Sequence, residues 1–338
     1  MELLWYCLLG LLLTGYFALA GLDYGVGALL RVVGTDEHRR RMVLGAIGPF
    51  FLGNEVWLVA AVGVLFGAFP LAEGELLSGT YPVMVAVLLG AVTVVAAVPL
   101  RSRNIHARRR TAWDTVIGLA SVVTALGWGV LLGNLLQGLP LDARGHLVPG
   151  GVAHLFDPYA LLFGATVLAL FLLHGATFLA LRLPGDLGNE ARRRARTLVL
   201  PAAVLPAVTA GWGALSDQVR ASVNQPVPAL LGAALVVLAV LGAGHALATG
   251  RPGWALAGTA VAAALPVPVV GAALYPTMLP SSLPDGAPLT VSEAVAAPET
   301  LGLLGGFAVL VLPVVLLFQW MTWWVFRGRV DQRTPLYF

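Results

Sequence analysis

The chain has 338 residues, 58% hydrophobic and only 11% charged, whereas a soluble domain carries about a quarter charged residues. That composition excludes an ordinary soluble enzyme and points to an integral membrane protein. The net charge of +3 is too small to suggest a nucleic-acid partner, and the single cysteine, Cys7, excludes an internal disulfide or a four-cysteine metal site.

A helix needs about 20 apolar residues to cross the hydrocarbon core. Nine stretches meet or approach that length: 3–30, 43–69, 78–100, 111–137, 158–182, 197–215, 227–249, 253–275 and 299–326. They are long, continuous and not alternating, so helices are expected rather than strands. In the first, Ala18-Leu19-Ala20 has the small-residue spacing of a signal-peptide cleavage site. The chain starts Met1-Glu2 without a basic n-region, however, and the apolar pattern runs on to Leu30, so the segment is expected to stay. Trp5 and Tyr6 at its start, and Trp320, Trp323 and Trp324 near the end of the ninth span, are expected interface anchors.

All 20 basic residues are arginine. Arg31, Arg39, Arg40 and Arg41 follow the first span, and Arg101, Arg103, Arg108, Arg109 and Arg110 the third. Arg182, Arg192, Arg193, Arg194 and Arg196 follow the fifth, Arg251 the seventh, and Arg327, Arg329 and Arg333 the ninth. Eighteen of the 20 thus fall on one side, with only Arg144 and Arg220 opposite. The positive-inside rule then places the N-terminus outside and the C-terminus in the cytoplasm. Without lysine no P-loop exists, which excludes an ATPase of that type.

Polar groups inside the spans carry the functional signal, because each costs free energy unless it faces protein or water. Asp23 lies about 10 Å, and Glu55 about 18 Å, from the expected cytoplasmic end of its span, at 1.5 Å per residue. Glu55 suits a proton relay or a contact with a cationic or hydrogen-bonding partner. Asp23 is expected to be mainly structural, and Asn54 to join helices. His174, alone in the fifth span, is expected to hydrogen-bond a neighbouring helix rather than bind a haem iron. Arg101 and Arg182, at the ends of spans three and five, are structural polar candidates; no metal site is expected. Gly21 and Gly25, Gly63 and Gly67, Gly129 and Gly133, and Gly302 and Gly306 form GxxxG pairs that would let helices approach closely. Pro201, Pro206, Pro266, Pro268 and Pro313 predict kinks.

Gly21-Leu22-Asp23-Tyr24-Gly25-Val26-Gly27, then His38-Arg39-Arg40-Arg41-Met42 and Gly53-Asn54-Glu55-Val56-Trp57-Leu58, is similar to subunit II of cytochrome bd-type quinol oxidases. Asp157–Gly164, Leu173–Leu187, Tyr275–Pro284 and Phe326–Val330 agree in order, so the resemblance runs nearly end to end. It implies an all-α polytopic fold of nine transmembrane helices: four-helix bundles over 1–137 and 158–275, with a peripheral helix at 299–326. It implies a bacterial cytoplasmic-membrane complex that oxidises quinol and reduces dioxygen to water. Haems b and d lie in a partner subunit I, and this chain binds none alone. A structural quinone, lipid and a small single-helix subunit are further implied partners. Asp23, Asn54, Glu55 and Trp57 would lie near a proton route or the subunit contact.

The family usually carries acids where Ala20 and Leu52 stand here, and an acid and an aromatic where Val98-Pro99-Leu100 precede Arg101. Its Asn-Ala-Ala-Ser-Ser becomes Glu293-Ala294-Val295-Ala296-Ala297. A methyl group carries no proton, so the usual route is interrupted at two points. The alternatives are a divergent paralogue with an altered partner or a lost route, and a proton-coupled transporter using Asp23 and Glu55.

Overall fold

The computed structural model describes residues 1–148 and 152–330, and is built almost entirely of helix. In chain order these are α1 (Glu2–Val33), α2 (Glu37–Ile47), α3 (Phe51–Ala68), α4 (Pro70–Gly79), α5 (Tyr81–Ser102), α6 (Ala107–Gln137) and α7 (Pro158–Arg182). There follow α8 (Gly185–Leu215), α9 (Asp217–Ser222), α10 (Pro226–Ala248), α11 (Pro252–Ala264), α12 (Pro266–Leu274), a ribbon of β1 (Thr277–Leu279) and β2 (Leu289–Thr290), α13 (Val291–Ala294) and α14 (Pro298–Val325). Counting α11 and α12 together, nine of these segments among the described residues are long and apolar enough to cross a bilayer. Arg333 lies outside the described residues.

Local chemistry sets the boundaries. α4, α5, α7, α10, α11, α12 and α14 each carry proline in the first turn, where its missing N–H costs nothing. Asp36 caps α2 through the Arg39 amide, and Thr290 with Glu293 forms a capping box on α13. The stretch 43–69, expected as one helix, is two: α2 ends at Ile47 and α3 starts at Phe51. Gly48 still holds helical dihedrals, φ −46° and ψ −44°, but Pro49 after it has no amide to continue the hydrogen-bond ladder. The Phe50 ring pins the elbow, stacking on Trp323 at 4.4 Å and meeting Phe178 edge-on. α8 and α14 remain continuous through their prolines, whereas Pro266 separates α11 from α12.

α1, α6 and α7 pack together at the centre, with α3 on α1, α5 on α6, α8 and α11 on α7, and α10 outside them against α8 and α11. Ala20–Gly27 of α1 is buried on every side, as expected of a helix apolar all round. Two of the GxxxG pairs serve close approach. A Cβ on Gly25 would fall on the Phe171 carbonyl, and Gly175 faces Gly25 in turn; a Cβ on Gly129 would strike Gly164. Gly63, Gly302 and Gly306 face open space. α14 buries only Leu301 and Gln319 and rests on α3.

The arginine-poor end is covered by loops. Leu139 donates its amide to Pro280 and accepts from Ser282, and Asn224 donates to Leu274 and Thr277. These loops enclose Trp5, which is buried rather than set at an interface, among Leu9, Leu141, Leu279 and Leu301. In the same cover His146 Nδ1 donates to Glu75 Oε1 at 2.9 Å, and Glu75 Oε2 accepts the Leu147 amide at 2.7 Å. The bond and charge of Glu75 raise the His146 pKa above its ordinary 6.5.

Gly25→Val is expected to cost about 3 kcal/mol or more, the top of the range for overpacking, because a backbone carbonyl blocks the new side chain. Gly302→Ala and Gly306→Ala should stay within about 0.5 kcal/mol. Thermal midpoints of the solubilised protein, read by size-exclusion, check both. The His146 contact adds stability that is full below the unfolded histidine pKa and is lost as pH rises through the elevated folded value. Exchange protection at the Leu147 amide, corrected for intrinsic rate, should therefore fall from mildly acidic to alkaline pH, and His146→Gln should abolish that dependence.

Candidate functional site

The polar groups inside the spans converge on one stretch of α1. Asn54 of α3 is fully buried and fully bonded. Its amide donates to Asp23 Oδ2 at 2.8 Å and to the Leu19 carbonyl at 3.3 Å, while its oxygen accepts from Gln319 Nε2 of α14 at 2.9 Å. One side chain thus joins three helices. Asp23 is buried, with its other oxygen lacking a protein partner. Such a carboxyl is retained against a cost of a few kcal/mol.

Glu55, one residue on, turns to a second chain of bonds. Its Oε1 accepts from the Tyr24 hydroxyl at 2.7 Å. Tyr24 thereby commits its only proton, so the 2.7 Å contact between Tyr16 and Tyr24 has Tyr16 as donor. Trp128 Nε1 donates to Tyr16 at 3.4 Å. An indole N–H only donates, so the series ends there: it orients Glu55 and offers no onward path for a proton. Glu55 itself is half-buried, beside an outward stripe of Leu52, Val56, Val59 and Phe66. Because α3 starts only at Phe51, Glu55 stands level with Tyr24. It is therefore about 10 Å from the arginine-rich end, by the helical rise from Arg31, and not the 18 Å expected of an unbroken helix. Trp57 turns inward, its ring occupying the space left by Gly15.

Of the positions where the resembling family carries acids, Ala20 is buried, while Leu52 is 61% exposed on the open α3 face. An acid at Leu52 would therefore have stood on the side of Glu55 that this chain leaves uncovered.

Arg101 is fully buried at the arginine-rich end. Its Nε donates to Asp114 Oδ1 at 2.5 Å and its Nη2 to Glu37 Oε2 at 2.9 Å. Arg40 pairs with Asp114 at 3.1 Å, and Arg41 and Arg110 lie 3.0 Å from Glu37. Partial burial would raise the Glu37 carboxyl, but the bond from Arg41 and the charges of Arg101 and Arg110 hold it below its ordinary 4.5. This cluster ties α2, α5 and α6 together. Arg182 does the same for the chain end: it donates to the Phe326 and Gly328 carbonyls, and its guanidinium lies over Phe50 and Phe178.

His174 is buried between α1 and α11. Its Nε2 lies 3.0 Å from the Ala18 carbonyl, which only accepts, so Nε2 carries the proton. Nδ1 sits 2.9 Å from the Thr259 hydroxyl. Both ring nitrogens are engaged, leaving neither for iron. Among the described residues no three His, Cys, Asp or Glu side chains gather as a metal would require. A cavity of about 320 Å³ opens between α7, α8, α10 and α12, lined by Tyr159, Phe163, Pro206, Val236 and Pro266, with the Thr166–Thr209 hydroxyl pair on its wall.

Sequence reasoning passed over Glu37, Asp114, Tyr16, Tyr24, Thr259 and Gln319. Asp114 was within reach, being an acid inside the apolar stretch 111–137. The tyrosines, Thr259 and Gln319 carry no such mark, since each is ordinary in a span until its partner is known.

The model for the family described as cytochrome bd terminal oxidase subunit II matches residues 1–326. The cytochrome bd ubiquinol oxidase subunit 2 of Bacillus subtilis (strain 168) is 32% identical over 336 residues, covering 98% of each chain. The cytochrome bd-I ubiquinol oxidase subunit 2 of Escherichia coli (strain K12) is 31% identical over 362 residues, covering 98% of this chain and 96% of that one. A chain from the structure of bd oxidase from Geobacillus thermodenitrificans has the same fold, with a TM-score of 0.72 over 96% of this chain and 98% of that one at 18% identity.

Asp114→Ala leaves Arg101 buried without its closest counter-charge and is expected to cost about 3–5 kcal/mol. Arg101→Met combined with Asp114→Leu should recover most of that. Unfolding midpoints of both variants, compared with wild type, test the coupling.

Proposed function

The chain belongs to the cytochrome bd terminal oxidase subunit II family, and we propose that it supports a haem-bearing subunit I and contributes a proton-exchanging group to quinol oxidation coupled to dioxygen reduction. The family implies the partner. The finer roles rest on α3, whose open face presents Leu52, Val56, Val59 and Phe66 beside the half-buried Glu55. An apolar stripe of this kind on one helix suits a second subunit, and the carboxyl beside it would be enclosed by docking.

Glu55 carries this reading. The tyrosine chain fixes its carboxyl and closes its inner side, so protons reach or leave it only from the face toward subunit I. With Ala20 and Leu52 in place of the family's acids, Glu55 and Asp23 are the acids left to serve within α1 and α3, beyond Glu2 in the first turn of α1. In the second reading, a divergent paralogue has lost the route and keeps Glu55 for docking alone. The dead end at Trp128 favours it.

The remaining assignments follow the same proposal. The helices divide into groups over 1–137 and 158–275, with α14 peripheral. The arginine-rich end faces the cytoplasm of a bacterium, with the N-terminus outside. The haems b and d belong to subunit I. A structural quinone would suit the cavity beside Tyr159 and the Thr166–Thr209 pair, and a small single-helix subunit completes the complex.

Glu55→Gln keeps an acceptor for Tyr24 and is expected to preserve assembly while lowering quinol-driven oxygen uptake about 10²-fold, as when an essential proton-transfer group is lost. Glu55→Ala should also reduce co-purification of subunit I. Near wild-type uptake in an assembled Glu55→Gln complex would leave the docking role and remove the proton role. Wild-type behaviour of both variants would remove both.

A further inference from the structure

A second crevice, of about 490 Å³, runs between α11 and α14 with α1 as its floor. Leu19 and Leu22 form the floor, Leu256 and Ala257 one wall, and Leu316 and Trp320 the other. It follows α11 from Gly253 to Ala260 and α14 from Leu316 to Trp323, about 10 Å at the helical rise. That is too short for a spanning helix, which needs about 30 Å, but it suits part of a hydrocarbon chain. At its base Gln319 donates to Asn54, and both nitrogens of His174 are bonded. The Trp323 indole N–H, also on the lining, is the one buried donor there left without a partner among the described residues.

The mouth differs from the interior. Arg251 caps α11 two residues before Gly253, and Arg327 follows α14 with its guanidinium 5.1 Å from the Trp324 ring centroid. Trp324 stacks on Trp320 at 6.1 Å, which carries this group to the crevice edge. Both arginines are exposed, and neither pairs with a carboxylate among the described residues. Indoles mark the headgroup level of a bilayer, and exposed arginines beside them attract anionic lipid.

We propose that this crevice binds one anionic glycerophospholipid of the leaflet at the arginine-rich end, with an acyl chain along α1 between α11 and α14 and its phosphate held by Arg251 and Arg327. The lipid would supply the packing that α14 lacks. α14 otherwise rests on α3, yet it carries the Gln319 that completes the Asn54 junction.

The test uses the purified oxidase complex, stripped of lipid by detergent and titrated with dioleoyl phosphatidylglycerol or dioleoyl phosphatidylcholine under native mass spectrometry. The tightest phosphatidylglycerol is expected to bind at least tenfold more strongly than phosphatidylcholine. Arg251→Gln with Arg327→Gln should bring the two lipids level. Ala257→Phe, at an exposed position, should fill the crevice and displace that lipid with the arginines intact. An unchanged haem spectrum establishes that each variant is assembled. Equal binding of the two lipids by the wild type, or wild-type selectivity in either variant, overturns the proposal.

Discussion

Helix α1 meets α7 backbone to backbone at Gly25 and Gly175, and the remaining contacts are arranged around that approach. In a bilayer, apolar faces gain little by leaving lipid, so helix association relies on close packing and interhelical hydrogen bonds. Both are concentrated here. The Ala18 carbonyl accepts from His174 and the Leu19 carbonyl from Asn54, while Asp23 accepts from Asn54 and Tyr24 donates to Glu55. Removing α1 from this position would leave Asn54 and Glu55 of α3 and His174 of α7 without their α1 partners in a low-dielectric interior.

The polar groups fall into two kinds of arrangement. Arg101, Asp114, Glu37 and their neighbours form a closed cluster in which each carboxylate meets at least two arginines and the buried Arg101 meets both carboxylates, as burial demands. Asp23 and Glu55 are different. Asp23 keeps one oxygen without a protein partner, and Glu55 stays open on one side. Closed clusters hold helices in place, and open carboxyls at the edge of a bundle are positions where chemistry or a partner can enter. The separation follows the fold: the closed cluster lies among the arginines, Asp23 is enclosed between α1 and the buried Asn54 of α3, and Glu55 stands beside the uncovered face of α3.

Much of this was legible beforehand. The length of the apolar runs and the alternation of arginines gave the number of membrane-length spans found among the described residues, since an error of one would scramble the charge pattern. The motif around Asn54 carried the family. His174 was legible too, because a lone histidine in lipid must find hydrogen-bond partners. What escaped was whatever depended on neighbours distant in the chain. Gln319 and Asn54 are 265 residues apart, and no local pattern marks either as the other's partner. Gly302 and Gly306 have the same spacing as Gly129 and Gly133, yet they face open space. The spacing permits close approach without specifying a partner.

The sequence by itself determined a chain of nine spans, its family and the presence of costly acids, because bilayer thickness and the cost of burying charge act residue by residue. Only the tertiary structure decided how those acids stand. The break at Pro49 raised Glu55 to the level of Tyr24, and the meeting of α1, α3 and α14 closed Asn54 while leaving Glu55 open. Depth and exposure are properties of packed helices, set by which faces meet, and a linear pattern carries no record of that choice.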